Sequence, residues 1–195
     1  MKRTGWLVVG GIVLILFFWG CSQQRGLATA DLNVQNKWSD VETNYQRRMD
    51  LYSSVIKTIE GSANFEKSTL KEVVDARARA TSVRVDVNDS TSLQQFQQAQ
   101  AQLQGSFSRL IAVAENYPDL KTTKAFQDFQ TQIEGTENRI NVARRDYNGS
   151  VNTYNQKVRL FPNNIFAGIL GYHVKGYYKA DAGAEKNPDI NFNIK

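Results

Sequence analysis

An all-α fold, a bundle of four long helices behind an N-terminal membrane anchor, is predicted by three features of the chain. Apolar residues recur every three or four positions in four separate stretches. The 195 residues include only three prolines, which permits long uninterrupted helices. An uncharged apolar run, Trp6–Trp19, follows Lys2 and Arg3. The length suffices for one domain with a sizeable core.

The anchor occupies residues 1–25. As a transmembrane helix the run is short: about 14 residues at 1.5 Å each cover roughly 21 Å of a 30 Å hydrocarbon core. Gly5, Gly20 and Cys21 extend it, and Trp6 and Trp19 stand where interfacial aromatics would. As a signal peptide, the run has the usual hydrophobic length. Gly20-Cys21 then resembles the end of a bacterial lipobox, with Cys21 the lipidated residue, although Phe18 and Trp19 fit that box poorly. Both readings keep the basic N-terminus in the cytoplasm and export the domain, because the first charge after the run is the lone Arg25.

The first stripe, Val34, Trp38, Val41, Tyr45, Tyr52, Val55 and Ile59, predicts a helix over Leu27–Glu60 with a heptad-like period. Gly61-Ser62 and Asn64 mark its break. Leu70, Val73, Val74, Ala76 and Ala80 predict a second helix over Phe65–Arg84. Asn88-Asp89-Ser90-Thr91 is a turn, with Ser90 or Thr91 as N-cap. Leu93, Phe96, Leu103, Phe107, Leu110, Ala114 and Tyr117 form the stripe of a third helix, about Ser92–Asn116, with one gap at Gln100. Pro118 ends it.

Phe126, Phe129, Ile133, Ile140, Tyr147, Val151, Tyr154 and Val158 predict a fourth helix from Asp119 or Leu120 to Leu160. Glu137 and Arg144 interrupt that stripe. Either they are half-buried and paired, or the stripe rotates and both reach solvent, which is the expectation. Pro162 closes the helix, so the bundle spans 26–160. The tail, 161–195, holds a short apolar element, Ile165–Tyr172, then Tyr177-Tyr178 and a Gly- and Asn-rich end. It is expected to cap the open end of the bundle; a docking surface for a partner or membrane is the alternative.

Several chemistries lack their residues. One Cys excludes an intramolecular disulfide and multi-Cys zinc or iron–sulfur sites. One His removes the zinc-protease pair and the paired Glu-x-x-His motifs of di-iron bundles. His173 stands alone, a surface or capping residue rather than a base. Two of the 24 basic residues are Lys2 and Arg3, and the others nearly balance 19 acidic ones. No basic stripe suits nucleic acid. Neither an enzyme nor a bound cofactor, metal or small-molecule substrate is expected.

The motifs are specific enough to resemble a family. Trp38-Ser39-Asp40-Val41, Gln46-Arg47-Arg48-Met49-Asp50-Leu51, Phe65-Glu66 and Ala76-Arg77 resemble segments of the bacterial LemA proteins. So do Glu115-Asn116-Tyr117-Pro118-Asp119-Leu120-Lys121, Thr136-Glu137-Asn138-Arg139-Ile140, Ala143-Arg144, Tyr147-Asn148, Tyr154-Asn155, Phe161-Pro162, Ala167-Gly168 and Gly171-Tyr172. The likeness covers nearly the whole chain. Two departures are Tyr52-Ser53-Ser54-Val55-Ile56, where the family has Ile-Pro-Asn-Leu-Val, and Phe65 in place of His. Helix 1 should therefore run straighter. The resemblance implies an up-and-down four-helix bundle with an N-terminal anchor and no particular reaction. One branch of the family is similar to proteins of magnetosome membranes.

The expected role is a non-catalytic scaffold or adaptor tethered in the bacterial envelope, with a protein partner. A membrane-organising protein that uses the apolar tail as a second contact is the alternative. Candidate interaction or interhelical-pairing residues are Arg47, Arg48 and Asp50 on helix 1 and Glu137, Asn138 and Arg144 on helix 4. Glu137 and Arg144, seven residues apart, lie about 10 Å apart along the axis and cannot pair directly. Across antiparallel helices, Asp50 with Arg144 or Glu137 with Arg48 can. Ordinary surface charge is the competing reading.

Overall fold

A computed structural model describes residues 2–61 and 65–179, with side chains in the first helix described from Gln24 onward. Every regular element among them is a helix: α1 (Lys2–Glu60), α2 (Lys67–Ser82), α3 (Ser90–Ala114), α4 (Pro118–Lys121), α5 (Lys124–Arg159) and α6 (Asn163–Leu170). α1 runs 59 residues without interruption, about 88 Å at 1.5 Å per residue. The helix continues through Tyr52–Ile56 without a break, as no proline there removes a backbone donor. Among the described residues no helix is long and apolar enough to cross a membrane. The side chains of Trp6–Trp19 and Cys21 lie outside them.

Aromatic contacts set the helix directions. Trp38 meets Tyr147 and Tyr52 meets Phe129, so α5 runs antiparallel to α1. Trp38 meets Phe96 and Tyr52 stacks on Phe107, so α3 runs parallel to α1. α2 returns against α3, with Glu72 bridging to Arg109 at 2.8 Å.

The core has two parts. The half distal to the N-terminus holds Met49, Tyr52, Ile59, Val73, Leu103, Phe107 and Phe129, contributed by α1, α2, α3 and α5. The proximal half holds Leu27, Val34, Trp38, Phe96, Ile140 and Tyr154. α2 is only 16 residues long and cannot cover both, so four long helices is not the arrangement found. In the proximal half its place is taken by non-helical chain: Val83, Val85 and Val87 after α2, and Tyr172 and Tyr178 after α6.

Helix boundaries differ from expectation where side chains cap. Asp89, not Ser90 or Thr91, is the N-cap of α3, accepting from the Thr91 and Ser92 N–H groups at 2.8 and 3.1 Å. Those contacts, the Thr91 amide first, hold the Asp89 carboxyl below its ordinary pKa. α3 already ends at Ala114; Pro118 opens α4 instead, at a first-turn position where its missing N–H is no loss. The expected fourth helix is split, because Thr123 adopts extended geometry and its hydroxyl caps α5 at Phe126 N.

The described part of the tail, 161–179, is not confined to one end of the bundle. α6 packs against α1 and α5, and Gly171 terminates it with φ +75°, a left-handed position that favours glycine. The chain then turns back and runs extended along α5 from His173 to Tyr178.

Candidate functional site

A polar layer separates the two halves of the core. Arg48 is wholly buried. Its Nη1 donates to Glu137 Oε1 at 3.2 Å and its Nη2 to Gln100 Oε1 at 2.5 Å. The guanidinium lies 4.6 Å from the centroid of the Tyr45 ring and 5.8 Å from that of Tyr52. One helix each, α1, α3 and α5, supplies the cation, the amide and the anion. A buried cation is tolerated only when compensated in this way. The Tyr52 hydroxyl, beside this layer, has its pKa pushed up to about 12, chiefly by burial, with Arg48 opposing and Glu137 adding to the rise. Glu137 does not swing to solvent as expected; its side chain is 31% exposed and turned to Arg48.

One step nearer the N-terminus, Arg144 of α5 donates through Nε, and also Nη2, to the Tyr45 hydroxyl, the Nε contact at 3.0 Å. Its guanidinium lies 4.4 Å from the Tyr178 ring centroid. The Tyr45 and Tyr178 hydroxyls share a 2.6 Å hydrogen bond. Arg144, half-buried, therefore joins α1, α5 and the tail instead of reaching solvent. It does not meet Asp50, which is exposed and accepts from Gln46 at 3.0 Å.

The tail is held as a strap by a repeated device. Asn155 Oδ1 accepts the Lys175 N–H at 2.8 Å while its Nδ2 donates to the Lys175 carbonyl at 3.0 Å. Asn148 does the same for Tyr178, at 2.8 and 2.9 Å. Each amide mimics a neighbouring strand, satisfying both backbone groups of one residue. The repeat works because seven helical residues advance about 10.5 Å and three extended residues about 10 Å. The tyrosine before each asparagine adds a bond, Tyr154 to the His173 carbonyl at 2.9 Å and Tyr147 to the Gly176 carbonyl at 3.1 Å. Burial pushes both phenol pKa values up to about 12. His173 itself is exposed. The buried Lys175 Nζ reaches Asp31 Oδ1 at 2.7 Å and Asn88 Oδ1 at 2.5 Å, tying the strap to α1 and the α2–α3 connection.

Of the other candidate residues, Arg47 and Asp50 are exposed on the rim of an open groove of about 850 Å³, whose far side includes Thr81 and Arg139. Gln100 and Phe96 also line it. Asn138 is exposed and lines a smaller neighbouring groove with Arg139. Among the described residues no group of His, Cys, Asp and Glu is placed to hold a metal ion.

A profile of the LemA family matches residues 37–192. The chain belongs to the LemA family. Protein LemA of Metamycoplasma hominis is 26% identical over 166 residues, which cover 85% of this chain and 73% of that protein. Magnetosome proteins MamQ 1 and MamQ 2 of Paramagnetospirillum magneticum are each 25% identical over 170 residues, 77% of this chain. The chain spans 62% of the length of these two relatives. In this LemA-family chain the matched region takes in the polar layer and the strap, so both belong to the family domain.

Gln100, Lys175 and the strap asparagines were not among the candidates. A signal existed for the first: the α1 stripe skips from Tyr45 to Tyr52, the α3 stripe from Phe96 to Leu103 and the α5 stripe from Ile133 to Ile140. Arg48, Gln100 and Glu137 fill those three gaps.

Proposed function

We propose that this LemA-family protein is a non-catalytic scaffold or adaptor of the bacterial envelope, an up-and-down helical bundle carried outside the cytoplasm on its N-terminal anchor. One observation carries the reading: α1 is a single helix from Lys2 to Glu60, so the element holding the apolar run Trp6–Trp19 also supplies side chains to both halves of the core. Polar groups with the character of a site, Arg48, Glu137 and Arg144, are engaged in joining helices, which suits a structural role. The groove rimmed by Arg47, Asp50 and Arg139 is the proposed seat of a protein partner, its mixed charges and open shape fitting a polypeptide better than a small substrate. The relatives named as magnetosome proteins are consistent with a membrane setting.

Fractionation tests the anchor. The full chain should sediment with membranes and resist high salt, and a chain lacking residues 1–25 should not. Recovery of the full chain in the soluble fraction ends this reading. Metabolic labelling with a palmitate analogue, comparing Cys21 with Cys21→Ala, separates a lipidated anchor from a retained helix. In-cell photocrosslinking from Arg47, with Val74 as control, should trap one protein partner at the groove and none at the control.

A further inference from the structure

The end of the bundle nearest the apolar leader carries an exposed apolar face. Lys157 Nζ donates to the Gly26 carbonyl at 3.2 Å, which places the last turn of α5 beside Gly26. The strap begins its return at His173 beside Tyr154, and Lys175 has already reached the level of Asp31. α6 and the Leu160-Phe161 corner are therefore the parts of the tail closest to the leader. Seven helical residues separate Trp19 from Gly26, about 10 Å, comparable with the thickness of a headgroup layer.

α6 is amphipathic in an unusual sense, since it has no charged residue at all. Ala167 faces inward and is buried, whereas Ile165 and Ile169, one turn apart, face out, Ile169 at 77% exposure. Phe161, 79% exposed, Leu160 and Leu170 extend the same region. Single exposed apolar side chains are ordinary, but five within eleven residues form a patch that calls for a partner.

The surrounding charge identifies the partner. No acidic residue occurs between Tyr147 and Lys179 or before Asp31. Arg25, Lys157 and Arg159 lie at this end, and Arg25 and Arg159 are exposed. An apolar face flanked by exposed arginines, with the neighbouring carboxylate of Asp31 neutralised by Lys175, matches an anionic bilayer surface.

We propose that α6 lies in the headgroup layer of the membrane that holds the leader, with Phe161, Ile165 and Ile169 among the acyl chains and Arg25 and Arg159 against anionic headgroups. This rests on the reading of residues 1–25 as an anchor. The two contacts together set the bundle at a fixed attitude, with the groove and the distal core held away from the lipid.

The test uses the full chain reconstituted in vesicles of phosphatidylcholine with phosphatidylglycerol. Photoreactive benzoylphenylalanine is placed at Ile169 in one sample and at Val142, exposed on the middle of α5, in another. Mass spectrometry should find lipid adducts from Ile169, none from Val142, and loss of the Ile169 adducts when phosphatidylglycerol is left out. A protein that floats with the vesicles but links Ile169 to a second copy or to residues 180–195 overturns the proposal and leaves the anchor standing. Undiminished adducts in pure phosphatidylcholine overturn the anionic preference. A protein that does not float overturns the anchor and this contact together.

Discussion

Arg48 of α1 and Glu137 of α5 stand 3.2 Å apart across the interior, the arginine fully enclosed and the glutamate reaching solvent along one edge. With Gln100 they divide the core into two apolar halves. Only one register of α1 against α5 brings cation and anion level, so the pair specifies alignment as well as contributing energy.

Arg48→Glu is therefore expected to destabilise the fold severely, by placing like charges together in the core. Glu137→Ala should cost about 3 kcal/mol, near the lower bound for breaking a buried pair because Glu137 is partly solvated. The double exchange, Arg48→Glu with Glu137→Arg, should recover most of the loss, since the Gln100 amide can serve either charge. Urea denaturation reads all three; a double exchange no better than Arg48→Glu alone would mean that the pair does not set the register.

Asn155→Ala removes both hydrogen bonds to Lys175 of the strap. The expected cost is about 2 kcal/mol, limited because a loosened strap can solvate its own backbone. Amide exchange should quicken at Tyr178 as well as at Lys175. Acceleration at Lys175 alone would show that the two asparagine contacts act independently.

Alkaline pH should weaken the fold. The Tyr147 phenol, buried and bonded to the Gly176 carbonyl, has its pKa pushed up to about 12, against about 10 in an unfolded chain. Between these values the native state holds a proton that the unfolded state has lost. The contribution is complete below about pH 10 and is lost as pH rises through about 12. Tyr52 and Tyr154 act in the same direction. Urea midpoints taken on either side of pH 10 should fall, and Tyr147→Phe should make the fall shallower. An unchanged slope in that variant excludes Tyr147 as a source.

In the distal half, Phe107 stacks on Tyr52 with ring centroids 3.7 Å apart and the planes nearly parallel, and it also touches Phe129. Phe107→Ala should cost about 3–5 kcal/mol. A loss below about 1 kcal/mol, in the same denaturation experiment, would show that the site collapses around the missing ring or is not core.

The apolar stripes were legible because helical periodicity is a local property. Val34, Trp38, Val41, Tyr45, Phe107 and Phe126, chosen by spacing alone, are all buried. The gaps in those stripes were legible one at a time, at Gln100 and Glu137, but not as a single layer. Their meeting depends on how far each helix is slid along its neighbour, and spacing within one helix carries no information on that. The split between α4 and α5 was missed for another reason: the Thr123 hydroxyl competes with helical propagation, an effect of a few tenths to about 2 kcal/mol that the long stripe on either side outweighs in the sequence.

Sequence by itself determined that this chain is helical, which face of each helix turns inward, where the apolar leader lies and which family the domain joins. Tertiary structure decided that α2 covers only half the core, that extended chain completes the other half, and that Arg48, Gln100 and Glu137 share one plane. The division follows from range. Backbone hydrogen bonds and side-chain periodicity act over three or four residues, whereas a buried charge finds its partner 89 residues away only after packing has fixed the register.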